Sequence, residues 1–205
     1  MQAAPATFIY LAILSVTTWV LVGTDSKLAR ALLQDQSTNL HHLTQDPVRV
    51  LTRSAFWLNS YALLFWAVLF LLVLAPAEHW LGTARWLVVF VSGHVGATLL
   101  TAAGIWLAIH SGLASHRLEN AVDVGVSYGF VAVAAVFTFR LERWWNVLWA
   151  GALIATAALG VVVDGSFTAY GHAAAILIGF ALYPITRAPA VRARAALPLL
   201  NTPEA

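Results

Sequence analysis

The chain has 205 residues, of which 60% are apolar, and its 11 Lys or Arg against nine Asp or Glu leave a net charge of only +2. Soluble domains carry about 25% charged residues, so the 10% found here excludes a soluble enzyme and a disordered chain. The absence of cysteine excludes a disulfide scaffold, a thiolate metal site and a cysteine nucleophile.

Six windows contain no charged residue: 1–24, 54–77, 86–116, 124–139, 144–163 and 165–186. About 20 apolar residues cross a bilayer, so these windows predict an all-α, polytopic membrane protein with six membrane-spanning helices. The predicted spans are about 7–23, 54–76, 84–109, 121–139, 144–163 and 166–185, followed by a disordered tail at 187–205. The first span is predicted to be retained, because residues 1–6 lack the positive charge of a signal peptide.

The connections between spans carry the charges and the turn signals. In the polar segment 24–55, Asp46-Pro47 is typical of a helix start, and this helix is expected to run on into the second span. Pro76 and Gly82 are expected to bracket a turn before the third span. The residues interpreted as anchors in the membrane interface are Trp80, Trp86, Trp144, Trp145 and Tyr183.

Six spans place both termini on the same side of the membrane. After the third span, five Lys or Arg fall on the side of the termini and one on the other, which favours cytoplasmic termini in a cell membrane. Arg187, Arg192 and Arg194 are interpreted as an anchor flanking the membrane, and no basic run of nucleic-acid-binding type exists. The preference for Arg over Lys and the abundant Ala suggest a GC-rich bacterial genome.

Ionisable residues inside spans are costly and are therefore candidates for function. His94 and His172 are the two histidines predicted to lie deep. Ser127 and His172 each follow the outer start of their predicted span by about six residues, or roughly 9 Å of helix. A neutral imidazole near a serine can act as its base, so this pair is a candidate nucleophile and base. His94 matches Ser127 less well in predicted depth and is interpreted as a buried hydrogen-bonding group.

Each of these residues also has a structural interpretation. Ser127 can bond to its own helix, and His172 can serve helix packing. Asp123, one turn above Ser127, can orient His172 or cap a helix. His41 and His42 lack a third ligand at metal-binding spacing, so a solvated loop is favoured, and no metal or cofactor is expected.

Small residues predict close helix contacts in the fourth and sixth spans. They are Gly125 and Gly129 in the fourth span, and Gly171, Ala175 and Gly179 in the sixth. Ser127 lies two residues from each glycine of its own span and therefore points about 160° away from them. The glycine contact and the serine contact are thus expected on different faces.

Over about 47–184 the chain resembles the rhomboid family of intramembrane serine proteases. Gly125-Val126-Ser127 resembles the first three positions of that family's Gly-x-Ser-Gly motif, and Gly171-His172-Ala173 with Gly179 is similar to its sixth span. Further similar stretches are Pro47-Val48-Arg49-Val50-Leu51-Thr52, Ser54-Ala55-Phe56, and Glu78 with Gly82 and Arg85-Trp86-Leu87. The resemblance implies a six-helix bundle that cuts transmembrane substrates from a site open to the outside, with Ser127 as nucleophile and His172 as general base.

The chain departs from the family pattern at several positions. Tyr128 follows the serine in place of glycine, and its ring is expected to point away from the pair. Val131 stands where the family often has an aromatic residue against the histidine. The second-span His-x-x-x-Asn, which stabilises the oxyanion, is missing, and Asn59 and Ser60 are the nearest candidate donors.

Two functions remain open on the sequence alone. One is an intramembrane serine protease with a Ser127–His172 dyad, acting on transmembrane proteins. The other is a non-catalytic rhomboid-like scaffold that binds client membrane helices, which the missing His-x-x-x-Asn and Tyr128 favour. A transporter is disfavoured, since no internal repeat and no intramembrane acid is present.

Overall fold

The computed structural model describes residues 4–58, 63–120 and 126–195, and the structural statements below concern those residues. Their regular structure is helical, with no β-strand in the three described ranges. In chain order the α-helices are α1 (Pro5–Val22), α2 (Ser26–Asp35), α3 (Leu40–Gln45), α4 (Pro47–Ser54), α5 (Leu63–Leu69), α6 (Ala75–Leu81), α7 (Thr83–His110), α8 (Val126–Phe137), α9 (Arg143–Leu159), α10 (Phe167–Ala181) and α11 (Pro189–Ala195).

Five helical segments of the described chain are long and apolar enough to cross a bilayer. They are Pro5–Val22, Leu63–Leu81, Thr83–His110, Arg143–Asp164 and Phe167–Arg187. A sixth apolar helix, Val126–Arg140, is shorter and combines α8 with a 3-10 turn. The predicted fold class, an all-α polytopic membrane protein, is confirmed.

The second span runs past the proline at which it was expected to end. A π-helical turn, Phe70–Leu74, joins α5 to α6, and the Ala75 N–H donates to the Phe70 carbonyl five residues back. Pro76 has no N–H and its ring crowds the preceding turn, and a π turn is one irregularity that accommodates such a residue. The helix therefore continues to Leu81, and Gly82 alone forms the turn, with φ of 81°.

The helix start at Asp46-Pro47 is confirmed, but its expected continuation is wrong. The Asp46 carboxylate accepts the Arg49 N–H at 3.1 Å, so it caps α4 as predicted. However, α4 ends at Ser54, and residues 55–58 are not helical. The segment before the second span therefore holds a separate short helix.

A polar stretch between α2 and α3 is buried rather than solvated. Gln36, Ser37, Thr38 and Asn39 are all buried. Thr38 and Asn39 line a small crevice together with residues of α7 and with Phe167, the first residue of α10. The chain thus packs here against α7 and the start of α10.

The centre of the bundle is formed by α7, α8 and α10, which make the most extensive helix contacts in the described chain. Small residues allow the close approach. A Cβ at Gly93 of α7 would overlap the Cβ of Ala132 on α8. A Cβ at Gly179 of α10 would overlap the Ala132 carbonyl oxygen and lie 2.6 Å from the Cβ of Ala135. The ridge predicted on the sixth span is confirmed, whereas Gly129 faces the Phe90 ring of α7 instead of α10.

One end of the bundle gathers the start of α1, the turn at Gly82 and the end of the described chain. Glu78 of α6 is 1% exposed, and its carboxylate accepts hydrogen bonds from the backbone N–H groups of Ala6 and Thr7 and from the hydroxyls of Thr7 and Thr83. The last helix, α11, packs on α6 and buries Val191 completely. We call this end the terminal end.

Two expectations about this end need correction. Trp80 and Trp86, interpreted as interface anchors, are 3% and 2% exposed and belong to the core, whereas Trp144 and Trp145 are exposed. The tail was expected to be disordered from residue 187, yet α11 is helical and anchored by Val191. A tryptophan near the end of a span can face either lipid or protein, and its position in the sequence does not show which of these it faces.

Candidate active site

His172 lies on the face of α10 that meets α8. Its imidazole is partly buried, and Nε2 is a buried atom with no hydrogen-bond partner in the described chain. Burying a polar atom without a partner costs about 1–3 kcal/mol, so each such atom needs an explanation, and a catalytic role is one of them. Nε2 therefore makes no hydrogen bond with Ser127 in this structure.

Tyr128, the residue after the serine, contacts His172 directly. The two rings meet edge to face, with centroids 5.4 Å apart and planes at 77°. Tyr128 is completely buried. The expectation that Tyr128 points away from the pair is wrong.

The Tyr128 ring is seated on Gly171, the residue before the histidine. A Cβ at Gly171 would lie 2.6 Å from Tyr128 Cε1 and closer still to Cζ and Oη. Glycine is therefore required at 171 if the ring is to lie where it does. A tyrosine after the serine, combined with a glycine before the histidine, is the sequence signal that could have predicted this contact.

Ser127 lies in the first turn of α8, beside Tyr128, and is half-buried. Successive helical residues differ by about 100° in direction, so Ser127 and Tyr128 face different neighbours. The contact of Tyr128 with Gly171 and His172 places the first turn of α8 level with the second turn of α10. The similar depth predicted for Ser127 and His172 agrees with this contact, although the ring facing His172 belongs to Tyr128.

His94 is a hydrogen-bonded core residue, as interpreted from the sequence. The expectation that its depth in the membrane differs from that of Ser127 is wrong. Its neighbour Gly93 packs against the Tyr128 carbonyl, so His94 lies near the same level. His94 is 3% exposed, and its Nε2 lies 2.8 Å from the Leu51 carbonyl and 3.3 Å from the Ser54 hydroxyl. Its Nε2–H thus ties α7 to the end of α4.

The remaining predicted site residues, Asn59, Ser60 and Asp123, lie outside the described residues. Gly125 of the serine motif lies outside them too. The structure brings together His172, Tyr128 and Gly171, with Ser127 adjacent in the chain. A hydroxyl and an imidazole with an open nitrogen are the components of a nucleophile and base pair, and the Tyr128 ring packs against the imidazole.

Comparison with known proteins shows the family of the chain. Searches of curated proteins and of solved structures found no significant match. A family model described as "Rhomboid-like protein" matches residues 1–192, nearly the whole chain. With its helical bundle and the serine and histidine on neighbouring core helices, the chain belongs to the rhomboid-like protein family.

Proposed function

We propose that this rhomboid-like membrane protein is an intramembrane serine endopeptidase, in which Ser127 attacks a peptide bond of a transmembrane substrate and His172 takes and returns the proton. The observation that carries the proposal is the buried Nε2 of His172, which has no partner in the described chain. A base must keep an acceptor nitrogen open for the serine hydroxyl, and this nitrogen is open.

The contrast between the two membrane histidines supports this assignment. His94 lies near the same level, yet its Nε2 is engaged by Leu51 and Ser54. A histidine retained for packing alone is expected to satisfy its polar atoms in the same way. The free nitrogen of His172 favours a chemical role.

The contact between Tyr128 and His172 also supports the proposal. The aromatic ring that the rhomboid family often places against its histidine is absent at Val131, and Tyr128 provides such a ring from a different position. In this role Tyr128 orients the imidazole without taking part in proton transfer. We also propose that the site faces the outside of a cell membrane and that both termini are cytoplasmic.

Catalysis also needs donors for the oxyanion, and each donor is worth roughly 10²–10³ in rate. Backbone N–H groups near Ser127 are the proposed main-chain donors. Asn59 and Ser60 are the proposed side-chain donors in place of the missing His-x-x-x-Asn, and Asp123 is a proposed orienting residue. With fewer donors than the family pattern, slow hydrolysis is expected.

The second candidate function, a non-catalytic scaffold for client membrane helices, is favoured by one observation. The nitrogen of His172 that should accept from Ser127 makes no such bond, and the Tyr128 ring lies against the imidazole instead. A protein that only binds clients needs no contact between Ser127 and His172. The two functions therefore differ in the reactivity of Ser127.

The test is labelling of membranes by a fluorophosphonate, which bonds covalently to an activated serine oxygen. We expect labelling of the wild type, none with Ser127→Ala, and a rate about 10²–10⁴-fold lower with His172→Ala. Ser111→Ala is the matched serine control, since the Ser111 hydroxyl is exposed and bonds to the Leu107 carbonyl. His94→Asn is the matched histidine control and should leave the labelling rate of folded protein largely unchanged.

The double variant Ser127→Ala/His172→Ala should be no less reactive than Ser127→Ala alone, because residues that act as one unit are not additive. If folded wild-type protein is labelled no faster than Ser127→Ala, the protease is refuted. The scaffold is then tested by photo-crosslinking to membrane helices from position 127.

A further inference from the structure

The charges of the described chain are distributed unequally between the terminal end and the rest of the bundle. At the terminal end lie five arginines with described side chains: Arg85, Arg140, Arg143, Arg187 and Arg192. The acidic residues of the described chain at this end are Glu78 and Glu142. Glu78 is buried and already accepts four hydrogen bonds, so Glu142 alone offers an exposed carboxylate there.

The rest of the described chain is balanced. Its cations are Lys27, Arg30, Arg49, Arg53 and Arg117, and its acids are Asp25, Asp35, Asp46, Glu119 and Asp164. Five charges of each sign leave no net charge outside the terminal end. The positive field of the described chain therefore belongs to the terminal end alone.

Exposed aromatic residues share the level of these arginines. Trp144 and Trp145 follow Arg143 at the start of α9 and are 65% and 60% exposed. The Arg187 guanidinium lies 4.8 Å from the centroid of the Tyr183 ring, and Tyr183 in turn contacts Phe139. Tryptophan and tyrosine prefer the boundary between hydrocarbon and headgroups, so the arginines lie at the height of the lipid phosphates.

We propose that the terminal end binds acidic phospholipids through this arginine group. The planar guanidinium binds phosphate oxygens in pairs and is only weakly hydrated, which suits it to a headgroup layer. An anionic leaflet attracts each nearby basic residue by about 1 kcal/mol, so the five arginines together outweigh the single exposed carboxylate. Acidic lipid is favoured over a soluble acidic partner because the aromatic residues hold the arginines within the headgroups.

The two arginines most suitable for substitution are Arg143 and Arg192. Both are exposed, and neither side chain makes a hydrogen bond, ion pair or ring contact within the described chain. Replacing them with glutamine removes charge without breaking a contact that holds the fold. Arg49 and Arg53 of α4, also exposed, provide a matched pair outside the terminal end.

The experiment is native mass spectrometry of full-length protein released from vesicles that contain equal amounts of phosphatidylglycerol and phosphatidylcholine. We expect the wild type to retain phosphatidylglycerol at least about tenfold over phosphatidylcholine. Arg143→Gln/Arg192→Gln should lose most of this preference, whereas Arg49→Gln/Arg53→Gln should keep it. Raising the salt concentration before release should weaken the preference of the wild type, because exposed charges are screened.

Equal retention of the two lipids by the wild type would overturn the proposal. Equal loss in both double variants would also overturn it, since the effect would then follow total charge rather than this end. If Arg143→Gln/Arg192→Gln does not fold, the two single variants and the salt series on the wild type decide the question. Retention of a soluble acidic protein with no lipid preference would assign the surface to that other class of partner.

Discussion

Glu78 and Thr7 are 71 residues apart in the chain, and the carboxylate of Glu78 accepts both the backbone N–H and the hydroxyl of Thr7, at 2.7 and 2.8 Å. The first N–H groups of a helix have no partner within the helix, and in a membrane protein water does not reach buried ones. A carboxylate at this position also interacts favourably with the positive end of the helix dipole. Glu78 thus fixes the start of α1 to α6.

We predict that Thr7→Val lowers the free energy of unfolding by about 1.5–3 kcal/mol, because the variant loses a hydrogen bond to a charged group. Glu78→Ala should lower the free energy of unfolding further, since it leaves several donors of α1 without an acceptor. Thermal unfolding in detergent measures both effects. Glu142→Gln is the control, because the exposed Glu142 side chain makes no capping bond to α9. A Thr7→Val midpoint equal to that of the wild type would contradict this account of Glu78.

Two glycines of α7 should respond in opposite ways to alanine. Gly93→Ala should separate α7 from α8 and lower the melting temperature, because its Cβ would overlap that of Ala132. Gly104 has open space where a Cβ would lie, so Gly104→Ala should raise stability by about 0.5–1 kcal/mol through helix propensity alone. Thermal unfolding of the two variants side by side tests the packing, and equal effects of the same sign would refute it.

The Tyr128 ring is predicted to position the His172 imidazole. Tyr128→Phe keeps the ring and should retain most of the fluorophosphonate labelling of Ser127. Tyr128→Ala removes the ring, costs about 3–5 kcal/mol of stability as other aromatic truncations do, and should slow labelling of the protein that remains folded. Faster labelling in Tyr128→Ala would reverse the interpretation, because the ring would then hold the pair apart.

The orientation can be tested with single cysteines, since the chain contains none of its own. Leu113, just past the end of α7 that lies opposite the terminal end, is 84% exposed, and Ala190 is exposed at the terminal end. In intact cells an impermeant maleimide should label Leu113→Cys, whereas Ala190→Cys should react only after lysis. Labelling of Ala190→Cys in intact cells would reverse the proposed orientation.

The sequence predicts the helical membrane fold well because charge is excluded from lipid-spanning segments, and 20 charges among 205 residues leave clear gaps. Relative depth is predicted poorly. Counting 1.5 Å per residue treats each helix as perpendicular to the membrane, and on that basis His94 was wrongly separated from the level of Ser127. The tilt and crossing angles of the helices depend on how they pack against one another, and the hydropathy pattern of one sequence does not contain this information.

Side-chain neighbours were the least predictable feature of the site. The motif predicts that Ser127 faces His172, and on that basis Tyr128 is expected to point elsewhere. Adjacent helical residues face different helices, and here it is Tyr128 that contacts His172. The burial of Gln36 to Asn39 had no sequence signal, because four consecutive polar residues are typical of a solvated loop. Such residues become buried only when the surrounding helices supply the cover.

The helices α8 and α9 differ in how far neighbouring helices bury them. Ten of the 12 residues of α8 are buried among protein helices, whereas no residue between Arg143 and Asp164 is buried. The Trp149 indole N–H donates to the Ala134 carbonyl at 2.9 Å, and this side-chain hydrogen bond joins α9 to α8. The 22 residues of this outer segment extend about 33 Å, slightly more than the hydrocarbon of an average bilayer, so hydrophobic mismatch acts on it directly. A thinner membrane therefore tilts α9 while the enclosed α8 keeps its place, and lipid thickness alters the outer wall of the protein before it alters the centre.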